Sequence, residues 1–256
     1  VRLNSVIRGA AGGPPLVLLH GLFGQAANWG AIQRRLAATR RVIALDLRNH
    51  GASPHGPGMD YAVQAADVLE TLHRLGATPC DLVGHSMGGK AAMAAALSEP
   101  AAIARLVVAD IAPARYPPAF AGYAAAMAAI ALHPGLTRAE ADDALKHAVA
   151  VPAVRSFLLQ NLSFDRHPAW KIGLSDIAAG LADIEDWPAL GTAPFPGPTL
   201  FVAGARSDYI RPEHRPAIAA LFPAARLLTL KDAGHWLHAD NPDGFLSVLE
   251  GFLTTG

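Results

Sequence analysis

A serine between glycines, Gly84-His85-Ser86-Met87-Gly88, sits where an apolar run ends and an alanine-rich run begins. Cys80-Asp81-Leu82-Val83 reads as the end of a buried strand, and Lys90 to Leu97 reads as the start of a helix. On so tight a strand-to-helix turn the hydroxyl is thrust out of the sheet, where a substrate can reach it. Glycines suit both flanks, because strand and helix crowd together and the turn needs backbone angles that glycine tolerates. Ser86 is therefore the candidate nucleophile. The plainer alternative is a serine helix cap after a glycine turn; the strand before it and the helix after it favour the nucleophile.

A serine hydroxyl is a weak nucleophile at neutral pH and needs a base within hydrogen-bond reach. Of the 11 histidines, His235 stands out, in Asp232-Ala233-Gly234-His235-Trp236 directly after the last predicted strand. A loop beyond the end of a parallel strand lies on the same sheet edge as Ser86, where such sheets bind ligands. His238 is the rival, without a glycine beside it to turn the loop inward. His85 flanks the nucleophile, and its side chain is expected to point away from it. The base needs a carboxylate to hold its tautomer. Asp110 ends Leu106-Val107-Val108-Ala109-Asp110, and Asp208 follows the strand Thr199–Ala203. Both keep the chain order Ser…Asp…His, and spacing does not choose between them. Backbone donors for the oxyanion are expected from Met87 and from the turn His20-Gly21-Leu22-Phe23-Gly24, with Leu22 first and Phe23 next. His20 reads as a strand-end residue that fixes this turn.

The elements that must carry these residues alternate. Strand-length apolar runs occur at Leu16–Leu19, Arg41–Leu47, Cys80–Gly84, Ile103–Ile111, Pro198–Ala203 and Ala225–Leu230. Helix-like stretches lie at Gln25–Ala38, Ala62–Leu75, Gly89–Leu97, Pro212–Leu221 and Pro242–Leu253. This is the pattern of an α/β fold: a mostly parallel sheet with helices on both faces. In the helix Tyr61–Leu75, Val63, Ala66, Leu69, Leu72 and Leu75 fall near one stripe, with Asp67, Glu70, His73 and Arg74 mostly outside it. Between Pro113 and Gly197 the rhythm breaks. Ala119–Leu132, Arg138–Val149 and Val151–Leu159 read as helices, followed by Ser163–Trp187 and a proline-rich run, Thr192 to Pro198. A connection of roughly 80 residues is far longer than an ordinary one. Residues 113–197 are read as a helical lid inserted into a core formed by residues 1–112 and 198–256.

The totals exclude other classes. The 256 residues are 52% hydrophobic, and 21 basic residues balance 21 acidic ones. A nucleic-acid or anionic-membrane partner would favour a basic excess, so neither is expected. No apolar run approaches the ~18 residues of a membrane span. The single cysteine, Cys80, permits no disulfide within the chain and reads as a small buried apolar residue. Val1-Arg2-Leu3-Asn4 shows no leader pattern, and a cytoplasmic location is the expectation. No metal-ligand spacing, phosphate loop or dinucleotide fingerprint appears, so no metal and no cofactor are expected.

His-Gly after a strand, G-x-S-x-G after a later one and Gly-His near the C-terminus resemble the α/β-hydrolase superfamily, over nearly the whole chain. More narrowly, His20–Gly24 with Asn28-Trp29, Asp46-Leu47-Arg48-Asn49-His50-Gly51-Ala52-Ser53-Pro54-His55, Met59-Asp60-Tyr61, Gly84–Lys90, Asp110-Ile111-Ala112-Pro113 and Gly234-His235-Trp236 resemble one subfamily. It comprises small bacterial esterases and their mitochondrial abhydrolase-domain relatives. In that subfamily the acid sits in the D-I-x-P motif, so the resemblance implies Asp110. This chain also carries Asp208, at the site the wider superfamily commonly uses. Arg48-Asn49-His50 reads as loop architecture behind the site.

The expected function is a serine carboxylesterase acting on short- to medium-chain esters through an acyl-enzyme, with a small-molecule ester as its partner. Phe23, Phe120, Tyr123, Phe157, Trp170 and Trp236 are candidates for the substrate pocket, with Phe164 and Trp187 as further lid aromatics. Alternatives on the same triad are a carbon–carbon bond hydrolase, a lactonase, an acyltransferase or a perhydrolase. A non-catalytic ligand-binding module is the alternative from another class. The sequence leaves the oligomeric state open.

Overall fold

The computed structural model describes residues 1–10, 12–188 and 193–254. Among them, the apolar runs assemble into one sheet of β1 (Ser5–Arg8), β2 (Leu16–Leu19), β3 (Val42–Leu45), β4 (Cys80–His85), β5 (Ile103–Ala109), β6 (Thr199–Gly204) and β7 (Ala225–Leu230). The order is β1-β3-β2-β4-β5-β6-β7, with every neighbouring pair parallel except β1 and β3. β1 is absent from the sequence reading, because its four residues are largely exposed and carry no continuous apolar signal. β7 departs from the expected two-sided cover. Residues 226–229 are exposed, since β7 is the other edge of the sheet.

A 3-10 turn at Ala26–Trp29 runs into α1 (Gly30–Leu36), where the sequence suggested one helix over Gln25–Ala38. α2 (Tyr61–Arg74) follows β3, and α3 (Met87–Ser98) follows β4. Between β5 and β6 lie α4 (Ala121–Ala128), α5 (Arg138–Leu145), α6 (Pro152–Leu159), α7 (Leu174–Ala179) and α8 (Leu181–Glu185). α9 (Arg215–Leu221) joins β6 to β7, and α10 (Leu237–Asp240) and α11 (Pro242–Thr254) follow β7. The helices from α4 to α6 are shorter than read, and Ser163–Trp187 holds two short helices after a lone bridge between Leu162 and Trp170. Residues 189–192, including Thr192 of the proline-rich run, lie outside the described residues.

The buried stripe of α2 differs from the expected one. Tyr61, Gln64, Ala65, Val68, Leu69 and Leu72 are buried, while Ala66 is exposed and Val63 half-buried. Asp67 is buried as well, because the Arg48 Nε–H donates to its carboxylate at 2.5 Å. A helix that carries a paired charge inward cannot be phased by hydrophobicity alone.

The alternation of each strand divides the core between two faces. Leu16 and Leu18 of β2 join Trp29, Ile32, Phe245 and Leu249 on one side. Val17 and Leu19 join the core of α2 and α3 on the other, continuous with Ala124, Met127, Ala141, Leu145 and Ile177 of the β5–β6 segment. α3 is buried all round except at Ser98. Its alanine run is the consequence of lying between the sheet and α2, where larger side chains would not fit. The chain runs outward from β2 to β3 and then crosses back to β4, so β2 and β4 flank a switch point. In parallel sheets the crevice beyond the strand ends at such a point receives ligands.

Candidate active site

Ser86 occupies that point, between β4 and α3, with φ 52° and ψ −121°. A non-glycine residue in this region carries strain of roughly 1–3 kcal/mol. Its amide donates to the Ala109 carbonyl of β5 at 3.0 Å, and its carbonyl accepts from Lys90 N–H at 3.1 Å, which ties the turn to both sides. The flanking glycines are sterically required. A Cβ on Gly84 would lie 2.2 Å from the Gly88 carbonyl oxygen, and one on Gly88 would lie 2.4 Å from that of His20.

The parallel register brings the other strand ends to the same edge. Ala109 of β5 pairs with His85 of β4 and with Val202 of β6, so Asp110 follows directly beside Ser86. His235, on the loop after β7, reaches between them. Its Nε2 is 3.0 Å from Ser86 Oγ, and its Nδ1 is 2.8 Å from Asp110 Oδ2. A carboxylate can only accept, so Nδ1 carries the proton and Nε2 is left to accept from the Ser86 hydroxyl. Asp110 is fully buried, and Gly204 N–H donates to its Oδ1 at 2.9 Å while the Ser207 hydroxyl donates to Oδ2. No hydrogen bond joins Asp208 to His235; Asp208 faces a cavity beside the site.

His238 does not reach Ser86. It is half-buried, stacks on Trp29 with ring centroids 4.4 Å apart, and desolvation of the ring pushes its imidazole down to about 4. His85 makes no hydrogen bond to Ser86, yet it belongs to the site. Its Nε2–H donates to the His235 carbonyl at 2.7 Å, which fixes the loop that carries His235. Burial holds the His85 imidazole well below its ordinary value, so it serves as a neutral donor.

The turn after β2 closes on Ser86 from the other side. A Cβ on Gly21 would lie 3.2 Å from the Ser86 Cβ. The Phe23 amide is taken, donating to His50 Nε2 at 3.0 Å. Among the described residues, the amides of Leu22 and Met87 have no hydrogen-bond partner. Both residues line a cavity with Ser86, and their N–H groups are free to donate to a group bound there.

Two cavities meet at Ser86 and His235. One, of about 490 Å³, is lined by Phe23, Phe120, Tyr123, Phe157, Leu158 and Trp236. The other, of about 460 Å³, is lined by Tyr61, Tyr116, Phe120, Ile184 and more polar groups, among them Lys90, Arg206 and Asp208. Five of the six aromatic pocket candidates therefore stand at a cavity wall. Trp170 does not: it pairs with Leu162 and packs half-buried against the core of the helical segment. Phe164, under the Arg138 guanidinium, and Trp187, 6.0 Å from the Tyr61 ring, likewise line neither.

Sequence reasoning passed over three supports. Ser207 shares Asp110 with His235. Tyr209 stacks on the His235 ring at 4.0 Å and 21°. Lys90 is buried in α3, and its ammonium donates to the carbonyls of Asp186 at 2.7 Å and Glu185 at 3.3 Å, at the C-terminal end of α8. Burial lowers the Lys90 ammonium to about 7, opposed by the Asp186 and Glu185 carboxylates. The signal for Lys90 was present: it is a lysine directly after G-x-S-x-G-G on a helix otherwise built of alanine.

Comparison with known proteins matches the alpha/beta hydrolase fold family over residues 14–242. The sn-1-specific diacylglycerol lipase ABHD11 of Xenopus tropicalis is 44% identical over 96% of this chain and 79% of that protein. Esterase YbfF of Escherichia coli K12 is 33% identical over 93% of this chain and 92% of its own. A solved marine microorganism esterase superposes with a TM-score of 0.93 at 35% identity, covering 98% of this chain and 99% of that one.

Proposed function

Because this chain belongs to the alpha/beta hydrolase fold family, we propose that it is a serine carboxylesterase working through an acyl-enzyme on Ser86. The observation that carries this reading is the unbroken line Ser86 Oγ, His235 Nε2, His235 Nδ1, Asp110 Oδ2, with contacts of 3.0 and 2.8 Å. The named esterases and lipase among its relatives support a carboxylic ester hydrolase.

In this mechanism Ser86 Oγ attacks the ester carbonyl carbon as its proton passes to His235 Nε2. Asp110 stabilises the imidazolium that results. The carbonyl oxygen, now carrying the charge, accepts from the Met87 and Leu22 amides, and each such donor contributes about 3 kcal/mol to the transition state. The alcohol leaves with the proton from Nε2. A water then gives its proton to the same nitrogen, attacks the acyl carbonyl, and the carboxylic acid departs as Ser86 regains its hydrogen.

Residues 113–197 act in this reading as a helical lid over the core of residues 1–112 and 198–256. Phe120, Tyr123 and Phe157 from that segment wall the larger cavity, which supports short- to medium-chain acyl groups. Among the described residues no helix is long and apolar enough to cross a membrane. A small-molecule ester in the cytoplasm is the proposed encounter. The test is hydrolysis of p-nitrophenyl esters of increasing chain length. Wild type should turn over short and medium chains best, and Ser86→Ala should remain folded and lose activity by several orders of magnitude. Retained turnover in Ser86→Ala would sink the assignment.

A further inference from the structure

The turn that presents Leu22 is strained, and two distant side chains hold it. Gly24 N–H donates to the Gly21 carbonyl at 2.9 Å, closing a four-residue turn with Leu22 and Phe23 at its centre. Phe23, third in the turn, has φ 59°. That position of such a turn normally takes glycine or asparagine. A phenylalanine there persists only if its surroundings over-determine it.

Both polar groups of Phe23 are held. Its amide donates to His50 Nε2 at 3.0 Å, and its carbonyl accepts from Asn161 Nδ2 at 2.8 Å. His50 donates from Nδ1 to the Arg48 carbonyl at 2.8 Å, so its Nε2 is the acceptor, and burial pushes the ring down to about 3. The loop around His50 is braced against the same turn. Asp46 accepts from Ala26 N–H at 2.6 Å and from Ala52 N–H at 2.9 Å, and Leu47 N–H donates to His20 Nε2 at 3.0 Å. Asn161 is buried at the end of α6, 138 residues along the chain from Phe23, and its neighbour Gln160 reaches the same carbonyl at 3.3 Å.

We propose that Asn161 and His50 are positioning residues of the oxyanion hole. They hold Phe23 in its left-handed conformation so that the preceding Leu22 amide faces the carbonyl oxygen at Ser86. This rests on the reading of Ser86 and Leu22 given above. Its consequence is that the hole is completed by the helical segment. Asn161 belongs to that segment, and withdrawing it frees the turn to relax away from the strained geometry.

Asn161→Asp keeps the size of the side chain and replaces the donor with an acceptor facing a carbonyl. The measurement is kcat and KM on a p-nitrophenyl ester, normalised to sites titrated by a fluorophosphonate, together with inhibition by an alkyl boronic acid. The expected result is a kcat lower by roughly 10–100-fold, with KM within about twofold and boronic acid affinity falling in parallel. Adding Phe23→Gly should restore much of kcat, because glycine adopts φ 59° without a clamp. If Asn161→Asp does not fold, His50→Leu against His50→Gln reads the other half, with loss expected only in the leucine variant. Labelled Asn161→Asp with wild-type kcat, or His50→Leu equal to His50→Gln, would overturn the inference alone. A wild-type protein that takes no label would remove the Ser86 reading and this inference with it.

Discussion

Asp110 Oδ2 receives two donors, His235 Nδ1–H and the Ser207 hydroxyl, while its Oδ1 receives Gly204 N–H. Replacing the carboxylate with an amide turns one of these contacts into a donor facing a donor and disfavours the tautomer that leaves Nε2 free. Asp110→Asn should therefore lower kcat by about 10³–10⁴-fold, the scale known for other triad acids. Asp208→Asn should stay within about threefold, because Asp208 lies at a cavity wall away from His235 Nδ1. Steady-state kinetics of the two purified variants decide, and a severe loss confined to Asp208→Asn would reverse the assignment. Ser86 and His235 were legible because glycines mark both turns. The choice of acid was not legible from spacing. Both aspartates follow parallel strands at one edge, and what separates them is the register that seats Asp110 beside the imidazole.

At the scale of elements, the site depends on how closely α3 enters the sheet. Gly88 sits where any Cβ would fall 2.4 Å from the His20 carbonyl oxygen and 2.7 Å from that of Leu19, both backbone atoms of β2 or its end. Gly88→Ala must push α3 away from β2, which costs roughly 1–3 kcal/mol or a fall of about 3–10 °C in Tm. Thermal melting checks this, and an unchanged Tm would show that α3 is not so tightly seated. Continuous apolar runs disclosed β2 to β6 because both faces of those strands are covered. β1 and α2 were read less well for a common reason: their residues answer to partners that hydropathy does not record. β1 is an exposed antiparallel edge, and α2 turns Asp67 inward to meet Arg48. The split of α1 from its 3-10 start is equally local, since Asp46 accepts from Ala26 N–H across the loop.

Across the whole molecule, five histidines serve as neutral hydrogen-bonding or packing groups, His20, His50, His85 and His214 buried and His238 half-buried. Burial lowers His20, His50, His85, His214 and His238, with His50 at about 3 and His238 at about 4. Unfolding lets each take up a proton below its ordinary value of about 6.5, whereas the folded protein resists until much lower pH. Their contribution to stability is therefore complete above about pH 6.5 and is lost as pH falls toward the folded values. At pH 5 the two with the lowest values, His50 and His238, each cost about 2 kcal/mol. Tm should drop markedly between pH 7.5 and pH 5, and His50→Gln should drop less steeply. A flat profile would mean that these rings are not held neutral.

The central claim is that Ser86 is the reacting atom's residue, and the most direct test is covalent. Intact-mass analysis after treatment with a fluorophosphonate should show one adduct per chain, located at Ser86 by peptide mapping, and none on Ser86→Ala. Blocking of hydrolysis should follow the labelled fraction one for one. An unlabelled wild-type protein, or a label on Ser86→Ala, would contradict the account.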